Sequence, residues 1–352
     1  MASRFPSARE DKIASNRFLK AAMTEKLSSW DPQETEARGI PSAEIHNVYQ
    51  RWGEGGLGHI LTGNIMLAYD QLEAAGNLII PTDAPFDGPR FEAFTKLATV
   101  AKAHGSLITG QVTHPGRQVD RRIQPHPVSA SDFAKPHPAS QEELNEIVRS
   151  FTFAAQYLHR AGFDGIELQG AHGVEFQSGG FTVDEARELC RMLEEATFDF
   201  VELSGGTYQA MAFKHEREST RKREAFFLEF ADMIVPALQK TKTYITGGFK
   251  TLSGMLDVLK TVDAVTQEFS LAKDMLNGSI SAAINQKVHQ DDFALTNTIA
   301  GSQIRQVGKG QEPIDMSREE NVQTFLEAMR TWAQRMEEDA QAMKLYGYVD
   351  LD

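Results

Sequence analysis

The chain has 352 residues, 41% of them hydrophobic and 24% charged, enough apolar side chains to fill a sizeable core, which excludes disorder as its default state. A formal net charge of -13 with no long Lys/Arg run argues against a nucleic-acid or anionic-membrane surface as the main partner. The lone Cys190 excludes an internal disulfide and a cysteine metal cluster. Residues 1–12 mix acidic and basic side chains without the apolar stretch of a secretory signal, and no apolar run is long enough to cross a bilayer. The expected address is therefore cytoplasmic.

In chain order, short apolar runs that end in small or polar residues alternate with segments of helical period, the pattern of βα units around a parallel sheet. Strands are predicted over 18–23, 59–62, 106–111, 165–169, 200–204, 244–247 and 262–265. Helices are predicted between them over 43–54, 89–103, 141–161, 183–196, 221–238 and 252–261. In 141–161 the apolar residues Leu144, Ile147, Val148, Phe151, Ala154, Ala155 and Leu158 follow the i, i+3, i+4 stripe of a helix laid on a sheet. Ser140 and Glu143 make a capping-box pattern at its start. Residues 122–138 carry four prolines and read as an irregular βα loop. Two closing helices, 279–286 and 318–343, complete the chain.

This gives an α/β chain of the TIM (β/α)8 type with about seven of the eight strands recognisable. No linker composition cuts it, so 1–352 reads as one domain, with 1–15 as an N-terminal extension and 279–352 as closing helices and tail.

Barrels of this kind carry their chemistry at the C-terminal ends of the strands. Here those ends read Ala22-Met23-Thr24, Thr62-Gly63-Asn64, Gln111-Val112-Thr113-His114 and Gln169-Gly170-Ala171-His172-Gly173. They offer small residues, amides, a hydroxyl and imidazoles, with no nucleophile held beside a base. Thr24 and Gln111 can hydrogen-bond a neutral heteroaromatic edge, so a planar cofactor fits better than a metal. The His114, His159 and His172 spacing matches no zinc signature. Taken singly, Met23 would be core packing, Gly63 a tight turn and His172 a surface histidine; together at strand ends they read as a site.

The runs Asn16-Arg17-Phe18-Leu19-Lys20-Ala21-Ala22-Met23-Thr24, Gly110-Gln111-Val112-Thr113-His114-Pro115-Gly116-Arg117-Gln118 and Gly162-Phe163-Asp164-Gly165-Ile166-Glu167-Leu168-Gln169-Gly170-Ala171-His172-Gly173 resemble successive motifs of the old yellow enzyme family. So do Gly247-Gly248-Phe249 and the tail Tyr346-Gly347-Tyr348. The resemblance implies an FMN-containing barrel that takes hydride from NAD(P)H and reduces an activated alkene or a quinone. It implies that Ala22, Met23 and Thr24 lie against the isoalloxazine and that Asn64 and Gln111 bind its polar edge. It also places Gly247 and Gly248 at the phosphate, and gives Gln169 and His172 the positions that hold a substrate carbonyl. The expected partner is a small molecule, with no nucleic acid and no membrane.

The chain departs from that pattern in three places. After Gly173 it passes directly to Val174-Glu175-Phe176-Gln177, which in the family follows strand five, so one strand with its flanking helices and loops is missing. The family's proton-donor tyrosine and strand-five basic residue fall in the lost stretch. Between Val265 and Gln267 only Thr266 stands, where relatives carry a Gly-Arg phosphate segment. Gln169 replaces a usual His. The alternative these gaps raise is a barrel without redox activity that binds a small ligand or a partner protein.

Overall fold

The computed structural model describes residues 3–5, 12–129, 137–170, 183–203, 234–245, 267–289 and 292–351. Strands β1 (Ser3–Arg4) and β2 (Ile13–Ala14) pair antiparallel. Next come β3 (Leu19–Lys20), helix α1 (Ala43–Glu54), β4 (His59–Met66), β5 (Leu78–Ile79), α2 (Gly88–Lys102) and β6 (Leu107–Thr113). A short pair, β7 (Val128–Ser129) and β8 (His137–Pro138), lies in the proline-rich loop, followed by α3 (Gln141–Arg160), β9 (Gly165–Leu168) and α4 (Val183–Glu195). The chain continues with β10 (Phe200–Leu203), β11 (Lys242–Ile245), α5 (Leu271–Leu276), α6 (Phe293–Gly308) and α7 (Glu319–Glu338).

The main sheet is parallel in the order β3-β4-β6-β9, with β5 also on β4. Every residue of β4 and β6 is buried, as expected of central strands covered on both faces. Their outward residues Ile60, Ile65, Ile108 and Val112 pack with Tyr49, Trp52, Phe94, Leu97, Tyr157 and Leu158 of the first three helices. Their inward residues Leu61 and Leu107 join Leu19, Tyr244, Ala14 and Phe5 in a second core. The Phe5 ring lies 5.5 Å from His59 and 6.0 Å from Phe200, so Phe5 and Ala14 of the predicted N-terminal extension pack into the interior.

Helix termini follow local chemistry. Ser42 Oγ accepts from the Ile45 N–H at 3.2 Å to open α1, and the predicted capping box opens α3, with Glu143 N–H donating to Ser140 Oγ at 3.2 Å. The C-terminal half of α3 buries Ala154, Tyr157 and Leu158. Its N-terminal half does not follow: Leu144 is 44% and Val148 64% exposed, and Leu168 at the end of β9 is 45% exposed.

Among the described residues β9 pairs only with β6, and β10 only with β11. Among the described residues no pairing joins β9 to β10, and the fold is an incomplete (β/α)8-type barrel. The β10–β11 pair still reaches the inner core, where Phe200 and Tyr244 lie 5.5 and 5.8 Å from His59.

Several sequence expectations need correction. Ladder pairing over 18–23 is confined to Leu19–Lys20, and residues 21–25 run as a loop held by side chains. Residues 279–286 are not helical. The helix at this point is α5, which ends at Asn277-Gly278 with Gly278 in the left-handed region at φ +78°. The Ser279 and Ile280 N–H groups then turn back onto Asp274 O. Helix α6 was not expected, because Thr296, Thr298, Gly301 and Ser302 are poor helix formers. Packing overrides propensity there: Ile304 and Val307 join the main core, and Gly301 lies so close to the Tyr348 ring that an added Cβ would come within 2.2 Å of it. Of the predicted 221–238 helix only 234–238 are described, with Ile234 helical and a 3-10 turn at Val235–Ala237; the rest of it, the predicted 252–261 helix and the 262–265 strand lie outside the described residues.

His59 is the polar member of the inner core, with Nε2 2.8 Å from Thr109 Oγ1. Burial lowers its pKa to about 4, against a smaller opposing pull from Asp164. The folded state therefore favours neutral imidazole, a contribution complete above 6.5 and lost as pH falls toward about 4. His59→Phe is expected to flatten the fall of melting temperature across that window, read by thermal unfolding at stepped pH.

Candidate active site at the strand ends

The loop 21–25 is fixed by a buried carboxylate. Glu25, whose side chain is 3% exposed, receives the Tyr49 hydroxyl and, at Oε1, the Gly63 N–H at 2.9 Å. Lys20 lies 3.9 Å from the same oxygen, donates to Leu61 O at 2.9 Å and sits 4.1 Å from the Trp52 ring centroid. Burial lowers the Lys20 pKa to about 8, with Glu25 and Glu202 pulling the other way. Burial and the Glu25 charge push the Tyr49 hydroxyl well above its usual value.

Gly63 is more than a tight turn. A Cβ there would come within 2.3 Å of both Met23 O and Glu25 Oε2, and the β4–β6 register shifts between Leu61 and Asn64 at this point. The missing side chain lets the loop lie directly on the strand.

That contact brings three predicted residues together. Asn64 and Gln111, 6% and 4% exposed, are register partners on neighbouring strands. Asn64 Nδ2 donates to Thr24 Oγ1 at 3.1 Å, and Thr113 Oγ1 donates to Asn64 Oδ1 at 3.1 Å. The Gln111 N–H donates to Thr62 Oγ1 at 2.9 Å, and its Nε2 donates to Glu167 Oε1 at 2.7 Å. Ala22 and Met23 are partly buried, the first against the inner core and the second against the main core. Gln169 follows β9, its N–H donating to Val112 O at 3.0 Å. His172, Gly247 and Gly248 lie outside the described residues.

Sequence reading passed over the charged residues beneath this cluster. Glu167 and Glu202 stand on β9 and β10 with their carboxyl groups in hydrogen-bonding reach of each other. Burial and the Glu202 charge push Glu167 up to about 8. The available signal was a charged residue inside an apolar strand run, as in Gly165-Ile166-Glu167-Leu168 and Phe200-Val201-Glu202-Leu203, since buried carboxyls with displaced pKa values cluster at functional sites. Among the described residues no group of three His, Cys, Asp or Glu side chains could hold a metal.

The ends of neighbouring parallel strands and the loop on them thus bring together a hydroxyl and two buried amides. The donor set fits the ring of FMN: Thr24, Asn64 and Gln111 offer both N–H or O–H donors and C=O acceptors without a fixed charge. Comparison with known proteins agrees. The profile of the NADH:flavin oxidoreductase / NADH oxidase family matches residues 11–178. The chain is 38% identical to the NADH-dependent flavin oxidoreductase nadA of Aspergillus parasiticus, over 92% of this chain and 89% of that protein. It is 27% identical to the NADH-dependent flavin oxidoreductase iliE of Hypocrea jecorina, over 67% of this chain and 77% of that protein. The chain belongs to the NADH:flavin oxidoreductase / NADH oxidase family, FMN-dependent oxidoreductases that use a reduced nicotinamide.

Solved structures bear out the fold. Morphinone reductase superposes with a TM-score of 0.58 at 14% identity, over 82% of this chain and 91% of that one. A 2-naphthoyl-CoA reductase gives 0.68 at 14% identity over 90% of this chain, which spans 56% of that protein. The alignment with the Aspergillus relative runs over 395 residues against 352 in the whole chain, so that relative carries segments inside the aligned span that this chain lacks.

Because Gly63 has backbone on one side and a buried carboxylate on the other, Gly63→Ala is expected to destabilise the protein by about 1–3 kcal/mol, the usual range for overpacking. Urea unfolding measures it, and an unchanged midpoint would mean that the loop does not rest on the strand.

Proposed function

We propose that the chain is an ene-reductase or quinone reductase in which Ala22, Met23, Thr24, Asn64 and Gln111 hold the isoalloxazine ring of FMN, with Gly247 and Gly248 at its phosphate. The observation that carries this reading is the Thr24–Asn64–Gln111 cluster at the ends of adjacent parallel strands. Bound FMN supplies the two-electron chemistry, taking hydride from NAD(P)H and giving it to the substrate. The protein's part is to orient and polarise. His172 and Gln169 donate to the substrate carbonyl oxygen, where negative charge develops as the conjugated double bond is reduced. Gln169 can donate through its neutral amide, a weaker polariser than a charged imidazole. Water supplies the alkene proton.

A second reading, a barrel without redox activity that binds a small ligand or a partner protein, is favoured by one observation, that no pairing joins β9 to β10 among the described residues. Two measurements separate the readings. Incubated with FMN, the purified protein gains a visible flavin absorbance that is lost on gel filtration, because the Gly-Arg phosphate segment is missing and each such charge-assisted contact contributes about 1.5–3 kcal/mol. With FMN in excess it then oxidises NAD(P)H with menadione or cyclohexenone. A colourless protein inert toward both acceptors would sink the proposal.

Within an active protein, His172→Ala is expected to slow substrate reduction about a hundredfold or more and to leave flavin reduction by NAD(P)H nearly unchanged. Gln169→His should speed substrate reduction. Stopped-flow measurement of the two half-reactions checks both, and an unchanged substrate step in His172→Ala would show that the carbonyl lies elsewhere.

A further inference from the structure

Resting on the FMN reading above, we propose that Glu167, paired with Glu202, is a positioning residue that sets which end of the Gln111 amide is presented to the ring. The geometry is asymmetric. Glu167 Oε1 takes the Gln111 Nε2 hydrogen bond at 2.7 Å, whereas Glu167 Oε2 is buried and receives no N–H or O–H from the described side chains. Glu202 Oε2 is likewise buried without a donor, and the Glu202 carboxyl lies in hydrogen-bonding reach of Glu167. Two carboxyl groups in contact hold one proton between them more readily than they hold two charges. With that proton on the Oε2 side, Oε1 stays an acceptor. Gln111 must then spend its nitrogen on Glu167 and offer its carbonyl oxygen to a ligand N–H, the complement of the N–H on the polar edge of a flavin ring.

The surroundings keep the pair in this state. Gln111 faces it from β6, Tyr244 from β11 through the field of Glu202, and the Lys20 ammonium from β3 through the same carboxylate. Helix α3, on the other face of β9, turns Ala154, Tyr157 and Leu158 to the main core and faces the pair with no charge. Burial and Glu202 keep the Glu167 proton on up to pH of about 8. Lys20, lowered to about 8, starts to lose its charge in the same range. Above that pH the interior therefore gains negative charge beneath the ring site from both groups at once. The folded state prefers the protonated pair, so its contribution to stability is full below 4.5 and is lost as pH rises through about 8.

The experiment titrates FMN into the full chain and into Glu167→Leu and Glu202→Gln, reading quenching of flavin fluorescence and the shape of the visible band, at neutral pH and again above pH 8. Thermal unfolding without FMN is followed over the same pH values. The wild type should bind FMN at neutral pH and more weakly above the pair's pKa. Glu167→Leu, which takes the acceptor away from the Gln111 nitrogen, should weaken neutral-pH binding about tenfold, the order of one lost hydrogen bond, with an altered band shape. Glu202→Gln keeps the Glu167 acceptor on Gln111, so it should retain neutral-pH binding and show a smaller alkaline weakening, the part that Lys20 contributes. Unfolding of the ligand-free wild type should worsen as pH rises to about 8, and Glu202→Gln should shrink that trend even if Glu167→Leu does not fold. Equal affinities and band shapes in wild type and Glu167→Leu, or an alkaline weakening as large in Glu202→Gln as in the wild type, would overturn the positioning role while leaving the FMN reading intact. A wild type that takes up no FMN would overturn the FMN reading and this inference with it.

Discussion

The buried carboxylate of Glu25 is the fixed point of this structure. A carboxylate out of water costs several kcal/mol unless its charge and lone pairs are met, and here three groups meet it: the Tyr49 hydroxyl from α1, the Gly63 N–H from β4 and the Lys20 ammonium from β3. One side chain thereby ties a helix, a strand and the loop between strand and helix to a single point. The consequence lies one residue away. Thr24 is set against Asn64, and Asn64 against Thr113, in a neutral polar cluster. Removing Glu25 would leave Lys20 buried over Trp52 with its nearest countercharge gone, the costly half of a broken ion pair.

A second set of charges answers a different constraint. Neighbouring strands stand about 4.8 Å apart, so a strand between β9 and β10 would hold them at roughly twice that spacing. Without one among the described residues, Glu167 and Glu202 come into contact. The described residues carry a chemical trace as well as a topological one: the carboxyl groups of Glu167 and Glu202 close together beneath the site, and the exposed side chains of Leu144, Val148 and Leu168.

What the sequence made legible followed from local rules. Helix α1 has the bounds its periodicity predicts, α3 begins at its capping box, and Asn64 and Gln111 stand side by side because parallel strands all point the same way. Illegible features depended on partners distant in the chain. Helix α6 is made of residues that prefer other conformations and is stabilised by contacts with α1 and Tyr348. The 18–23 strand shrank because Glu25, Tyr49 and Gly63 hold 21–25 in a side-chain cage that no periodicity encodes. Glu167 and Glu202 are far apart in sequence, and only the open sheet makes them neighbours. Lys20 and Glu25 were visible as charges beside apolar runs, but their meaning required the third dimension.

The central claim is that the site half of the barrel is preformed around Glu25. Native-state hydrogen exchange on the ligand-free protein tests it most directly at two amides, Gly63 N–H on Glu25 and Gln111 N–H on the Thr62 hydroxyl. Both should exchange only through the same global opening that governs the centre of β6, and Glu25→Gln should bring Gly63 down to a local opening while leaving the centre of β6 slow. Fast exchange at Gly63 and Gln111 in the unaltered protein, with the centre of β6 protected, would contradict a preformed site.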